Sequence, residues 1–206
     1  MKTTGVALAA AGLGSTLSPK PAFAAKPLKE LRVLQVGVHG IGNMDRNNIL
    51  RHPKARITGL CDVNSTYLNK LAKQIPDAFT VKDYRNAFAD HLDEFDAVNV
   101  CTPDHSHITP TLLALKHDKH CYAQKPLVQQ LEELVMLDKA QAAKPHLATQ
   151  TGNQRMNSEG RRMAVEILKN NLLGQAVEAY CWTGTQRGSA KPIDKFPVVD
   201  VPADLD

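Results

Sequence analysis

The chain predicts an α/β fold built on a doubly wound parallel sheet, with the start of a second α/β domain after it. Three observations carry this. Short apolar runs alternate with helical periods from Leu31 to Thr151. The first run, Val33-Leu34-Gln35-Val36, leads into Gly37-Val38-His39-Gly40-Ile41-Gly42, and a helical pattern follows at once. The second run, Ile57-Thr58-Gly59-Leu60-Cys61, ends in Asp62. Strands alternating with helices at this spacing pair in parallel through right-handed crossovers. A glycine turn between strand and helix, with an acid closing the next strand, is the layout of a dinucleotide-binding βαβ unit, the Rossmann pattern.

The elements follow in order. Arg32 to Val38 is the first strand, and Asn43 to Arg51 the helix after the glycines. Arg56 to Cys61 is the second strand. Ser65 is placed to cap a helix running to Gln74. Phe79 to Val81 is a short strand, and Tyr84 to His91 an amphipathic helix. Ala97-Val98-Asn99-Val100-Cys101 is a strand ending at Thr102-Pro103. Ile108 to Lys116 is helical, His120 to Ala123 extended, Leu131 to Ala143 a long helix and Leu147 to Thr151 the last strand of the sheet. The character changes after Gly152. Ser158 to Asn171 reads as a helix with Gly174 as its C-cap, and Gln175 to Thr183 as a strand. One strand and a loop cannot bury a sheet face alone, so the expected organisation is a dinucleotide-binding domain over 31–152 and the beginning of a second domain over 153–206.

Residues 1–24 have the form of a signal peptide. Lys2 supplies the charged start, Val6 to Leu17 a mild apolar core and Ala22-Phe23-Ala24 a small-x-small cleavage site. The expected location is periplasmic or secreted, or cytoplasmic if this segment does not act as a signal. The formal net charge is +4 with no basic block, which points away from nucleic acid. No other apolar run is long enough to suggest a membrane span. Cys61, Cys101, Cys121 and Cys181 are widely spaced in apolar runs and read as buried small hydrophobes.

Ligands of a parallel sheet bind beyond the carboxyl ends of its strands, and this sorts the candidates. Gly37, His39, Gly40, Ile41 and Gly42 form the phosphate turn, where a helix N-terminus offers unpaired N–H groups and partial positive charge. His39 holds the middle position, where a Cβ crowds a pyrophosphate. Asp62 is placed to accept hydrogen bonds from an adenosine ribose. Thr102-Pro103-Asp104-His105-Ser106-His107, Gln124-Lys125-Pro126 and Gly152-Asn153-Gln154-Arg155 end three further strands at the same edge. Lys125 could bond a substrate hydroxyl and relay its proton as hydride leaves the carbon. Asp104, His105 and His107 lack a partner at metal-ligand spacing. Asp104 or Ser106 is instead expected to cap the next helix, with His107 on cofactor or helix backbone. No metal site is expected.

In the glycine turn, Cys61-Asp62-Val63, Thr102 to His107, Lys119 to Leu127 and Thr149 to Arg155, the chain from Leu31 resembles the Gfo/Idh/MocA oxidoreductases. The resemblance implies a Rossmann domain followed by an α/β domain with an open mixed sheet. The activity implied is NAD(P)-dependent oxidation or reduction at a carbon of a sugar or cyclitol. It makes Lys125 the catalytic lysine of a Glu-Lys-Pro signature whose glutamate is here Gln124. It places Thr102, Pro103 and His107 at the nicotinamide, and Asn153 and Gln154 at the junction with substrate. The expected cofactor is NAD rather than NADP, because Asp62 repels a 2′-phosphate. Some relatives are glycosidases that keep NAD bound, and a non-catalytic nucleotide-binding remnant is a further alternative. The family's remaining catalytic aspartate and histidine belong to a part of the second domain that this sequence does not contain. A truncated or split product is therefore expected, forming a homo-oligomer only if the second domain is complete.

Overall fold

A computed structural model describes residues 29–182 and 200–205. The proposed leader lies outside the described residues, as do Thr183 and most of the stretch after it. The strands are β1 (Leu31–Val36), β2 (Ala55–Cys61), β3 (Phe79–Val81), β4 (Ala97–Val100), β5 (His120–Gln124) and β6 (Thr149–Gly152). The helices are α1 (Ile41–Ile49), α2 (Ser65–Ala72), α3 (Tyr84–Asp90), α4 (Ile108–Lys116), α5 (Leu131–Ala142) and α6 (Glu159–Lys169). The six strands form one parallel sheet in the order β3-β2-β1-β4-β5-β6. The chain starts at the centre, winds outward through β2 and β3, then crosses back to wind outward through β4, β5 and β6. This puts the reversal between β1 and β4, where an α/β sheet opens a crevice at its carboxyl edge.

Burial follows the pleat. Leu34, Val36, Val98, Val100, Cys121 and Ala123 face Ala87 and Phe88 of α3 and Ala114 of α4 in the main core. Val33, Ile57 and Leu60 face Leu68 and Leu71 of α2, with Ile49 of α1. Leu115, Leu137 and Leu147 seal the seam between α4 and α5. Among the described residues no helix covers the α1 side of β4, β5 and β6. It forms an open groove of about 830 Å³ whose lining includes Val33, Ala97, Asn99, Tyr122, Leu147 and Gln150. This large cavity is a bare sheet face and lies away from the carboxyl edge.

Several local expectations change. Asn64, not Ser65, caps α2: its side chain accepts from the Tyr67 N–H, while Ser65 is the first helical residue. Neither Asp104 nor Ser106 caps α4. They form a 3-10 turn in which Ser106 Oγ donates back to the Pro103 carbonyl at 2.9 Å, and no side chain caps the helix. α6 ends in a Schellman turn centred on Asn171 (φ 53), with Leu172 N–H donating to the Ile167 carbonyl and Asn171 N–H to that of Leu168. Asn171 thus takes the left-handed position expected of Gly174, which sits three residues further on. Residues 175–182 are not extended into a strand, and no neighbouring strand among the described residues is there to pair with them. Cys181 is exposed, whereas Cys61, Cys101 and Cys121 are buried as expected.

Candidate functional site: the carboxyl edge of the sheet

β1 ends because Gly37 turns the chain at φ 87, and its N–H donates to the Cys61 carbonyl at 2.8 Å. A Cβ on Gly37 would stand 2.5 Å from the Cys101 carbonyl oxygen, so the backbones of the β1 and β4 ends meet only because this residue has no side chain. Gly42 is equally constrained: a Cβ there would lie 2.2 Å from the Gly37 carbonyl oxygen. Gly40 is the N-cap of α1 and supplies no side-chain acceptor, while Ile41, the first helical residue, is exposed beside it. The positive end of α1 therefore opens on the crevice without a side-chain cap.

The turn is held from below by residues that no sequence motif singles out. Gln35 is fully buried, and its amide donates to the carbonyls of Gly37 (3.0 Å) and Gly42 (2.6 Å). Arg46, 6 % exposed, donates to the Val38 carbonyl at 3.0 Å and also bonds the Asn43 side chain. Burial lowers its pKa, yet the residue stays cationic because arginine's ordinary value is so high. A signal was available: Gly42, Asp45, Arg46 and Ile49 share one face of α1, so the face that packs on the sheet carries two charges.

His39 does not lie across the turn. Its exposed ring stacks on Tyr67 of α2, with centroids 4.0 Å apart and planes within 2°, and this draws the imidazole aside. Asp62 follows β2. One carboxylate oxygen accepts from the Val38 N–H at 2.8 Å and the other from the Asn64 N–H at 2.9 Å. Each oxygen keeps a lone pair for a further donor. Asp62 is thus both a brace of the turn and an acceptor at the crevice.

On the other side of the crevice, Thr102 Oγ1 is buried and has no hydrogen-bond partner among the described residues. Pro103 is exposed next to it. His107 is 1 % exposed and ties two loops together, with Nδ1 2.6 Å from the Pro126 carbonyl oxygen and Nε2 2.7 Å from that of Thr102. Both ring nitrogens are engaged by backbone, so His107 sets the spacing of the β4 and β5 loops rather than presenting a polar atom. Lys125 is exposed at the end of β5, before a cis Pro126.

Gln124, expected at the cofactor, turns inward. It is 2 % exposed, and its Nε2 donates to Asp45 Oδ2 at 2.7 Å. Cys101 Sγ donates to the same oxygen at 3.3 Å. Across the sheet Gly152 pairs with Gln124 in register, and a Cβ on Gly152 would fall 2.7 Å from the Gln124 side chain. Gln124 thus supplies the donor for a buried carboxylate from α1, at the position where a Glu-Lys-Pro order would place a second carboxylate. Asn153 is exposed at the edge. Gln154 departs from it, lining the groove on the α1 side and bonding the Tyr122 hydroxyl. Among the described residues no group of three or more His, Cys, Asp or Glu side chains could hold a metal ion.

Glycines without room for a Cβ, an uncapped helix start, an acid after β2 and an orphaned hydroxyl after β4 together define a Rossmann-type nucleotide-binding domain. Residues 31–151 match the family model described as "Oxidoreductase family, NAD-binding Rossmann fold", and the chain belongs to this family, the Gfo/Idh/MocA oxidoreductases. An inositol 2-dehydrogenase of Rhodococcus jostii is 27 % identical over 153 residues, covering 72 % of this chain and 41 % of that protein. A glycosyl hydrolase family 109 protein of Saccharopolyspora erythraea is 24 % identical over 190 residues, covering 84 % of this chain and 40 % of the relative. The crystal structure of scyllo-inositol dehydrogenase from Lactobacillus casei, with bound NAD(H) and scyllo-inositol, superposes with a TM-score of 0.65 at 22 % identity, over 71 % of this chain and 43 % of that one. The chain thus spans less than half the length of these relatives.

Proposed function

We propose that the chain binds NAD across its carboxyl edge and that, within a protein carrying a whole second domain, it serves hydride transfer at a carbon of a sugar or cyclitol. The observation that carries this is the turn from Gly37 to Gly42, where the uncapped start of α1 meets backbone that only glycine permits. The pyrophosphate lies on that helix start, above the buried Arg46 cation. The adenosine ribose lies at Asp62, and the nicotinamide end lies between Thr102 and Lys125. Thr102 Oγ1 gains there the partner it lacks among the described residues. The cofactor supplies the hydride acceptor or donor. Lys125, on a short exposed turn, holds the substrate hydroxyl and passes its proton toward solvent as the carbon is oxidised. The inositol dehydrogenases among the relatives favour a cyclitol or sugar substrate. The leader-like segment 1–24 favours export, which N-terminal sequencing of the secreted or periplasmic protein tests.

A second reading keeps the nucleotide and changes the net reaction. The family 109 glycosyl hydrolase aligns over more of the chain than the R. jostii inositol dehydrogenase does, 84 % against 72 %. This favours transient oxidation at bound NAD in the service of glycosidic cleavage. Calorimetric titration with NAD tests the binding step, and no heat from well-folded protein refutes it. In a chain with a complete second domain, Lys125→Ala is expected to lower kcat by about 10²–10⁴-fold, with a far smaller change in NAD affinity. Unchanged turnover removes Lys125 from the mechanism. Net NADH formation against nitrophenol release from a nitrophenyl glycoside separates the two reactions.

A further inference from the structure

Residues 200–205 return to the adenosine side of the sheet, where Ser65 bonds a residue 139 positions away. Ser65 N–H and Oγ both donate to the Asp204 carbonyl, at 2.8 and 3.0 Å. The Thr66 and Asn64 side chains hydrogen-bond the Asp204 carboxylate, and these bonds hold its carboxyl below the ordinary range. Leu205 bridges to Asn64 in the antiparallel sense. The Asn64 N–H is taken by Asp62 and the Tyr67 N–H by the Asn64 side chain. The start of α2, directly after the ribose-binding acid, is therefore a donor cluster already served by an acid of the same chain.

This is the neighbourhood where a dinucleotide-binding fold meets the 2′ position of the adenosine ribose. A plain ribose needs an acceptor, and Asp62 provides it. A 2′-phosphate brings about two negative charges and needs donors or cations. It finds instead the carboxylates of Asp62 and Asp204, and donors at Asn64, Ser65 and Thr66 that already have acceptors.

We propose that Asp204 is a specificity-determining residue: its carbonyl and carboxylate occupy the Asn64, Ser65 and Thr66 donors that a 2′-phosphate would use, and so keep the site selective for NAD over NADP. This rests on the reading that the adenosine ribose lies at Asp62. The test is the ratio of NADP to NAD dissociation constants in the full chain, measured by calorimetry, with hydrogen exchange of the Ser65 amide in the nucleotide-free protein as a second readout. Asp204→Ala is expected to lower the ratio by about tenfold or more, since it removes a charge and releases charge-assisted donors. Adding Thr66→Ala is expected to reverse part of that gain, because Thr66 is one of the released donors. The Ser65 amide is expected to be protected. A ratio that moves by less than about threefold in Asp204→Ala overturns the proposal, as does a gain indifferent to Thr66→Ala or an unprotected Ser65 amide. If neither nucleotide binds while Ser65 stays protected, the NAD reading itself has failed and takes this proposal with it.

Discussion

Replacing Gln124 by glutamate restores the family's Glu-Lys-Pro order, and the structure makes that restoration harmful. The Gln124 amide nitrogen donates to Asp45 Oδ2 at 2.7 Å, with the two residues 2 % and 6 % exposed. Gln124→Glu puts an acceptor oxygen where the donor stood. Two carboxylates at that separation, away from water, cannot both ionise, so the pair retains a proton. Holding it at pH 7 on a group with an unfolded pKa of about 4.3 costs up to ~3.7 kcal/mol, at ~1.4 kcal/mol per pH unit, and about 1 kcal/mol at pH 5. The sign follows from a folded pKa raised above the unfolded one. The proton-sharing pair is fully stabilised below about pH 4.3, and that stability is lost as pH rises toward the folded value. Urea unfolding of both proteins at pH 5 and pH 7 reads this directly. The deficit of Gln124→Glu is expected to widen by as much as ~2.7 kcal/mol between the two pH values. Adding Asp45→Asn, which reverses donor and acceptor, is expected to remove most of the widening. An equal deficit at both pH values refutes the reasoning.

Gly37→Ala is expected to cost about 2–4 kcal/mol, combining a left-handed backbone with a Cβ driven against the Cys101 carbonyl; denaturant midpoints measure it, and a loss under about 1 kcal/mol contradicts the close approach of β1 and β4. His39→Gly is expected to change NAD affinity by less than about threefold, since the ring rests on Tyr67 rather than over the phosphate turn. Tightening beyond about tenfold in calorimetry means that the ring obstructs the site. Burial pushes the Cys61 and Cys121 thiols up to about 12 and that of Cys101 higher still, while Cys181 is exposed. An aromatic disulfide reagent at pH 8 is therefore expected to modify one thiol rapidly and the other three only on unfolding; rapid loss of a second thiol contradicts the burial.

The sheet was legible because its signals are local. Apolar runs of strand length, the Gly37–Gly42 turn and the acid at Asp62 each sit within a few residues of the structure that they specify. The inner layer of the site was not, because its meaning lies in contacts between distant positions. Gln124 reads as an altered catalytic motif until Asp45, 79 residues earlier, is found against it. Asp45 and Arg46 look like an ordinary exposed charge pair until their shared face with Gly42 and Ile49 is counted. Asn64 and Ser65 are both good caps in isolation, and backbone geometry chooses Asn64. Gln175 to Thr183 has strand composition but no strand beside it among the described residues, and composition alone does not make a ladder. The seat of Asp204 at Ser65 has no sequence signature at all.

The α1 side of β4, β5 and β6, which no described helix covers, bears on how the molecule responds to heat. A sheet clad on both sides gives most of its apolar area to water only when it melts. Here part of that area is wet in the folded state, and so are Met163 and Leu168 of α6, 58 % and 61 % exposed. Heat-capacity change scales with newly exposed apolar surface. Per residue it is therefore expected to fall below the usual ~12–15 cal/mol/K, so that stability bends only gently with temperature.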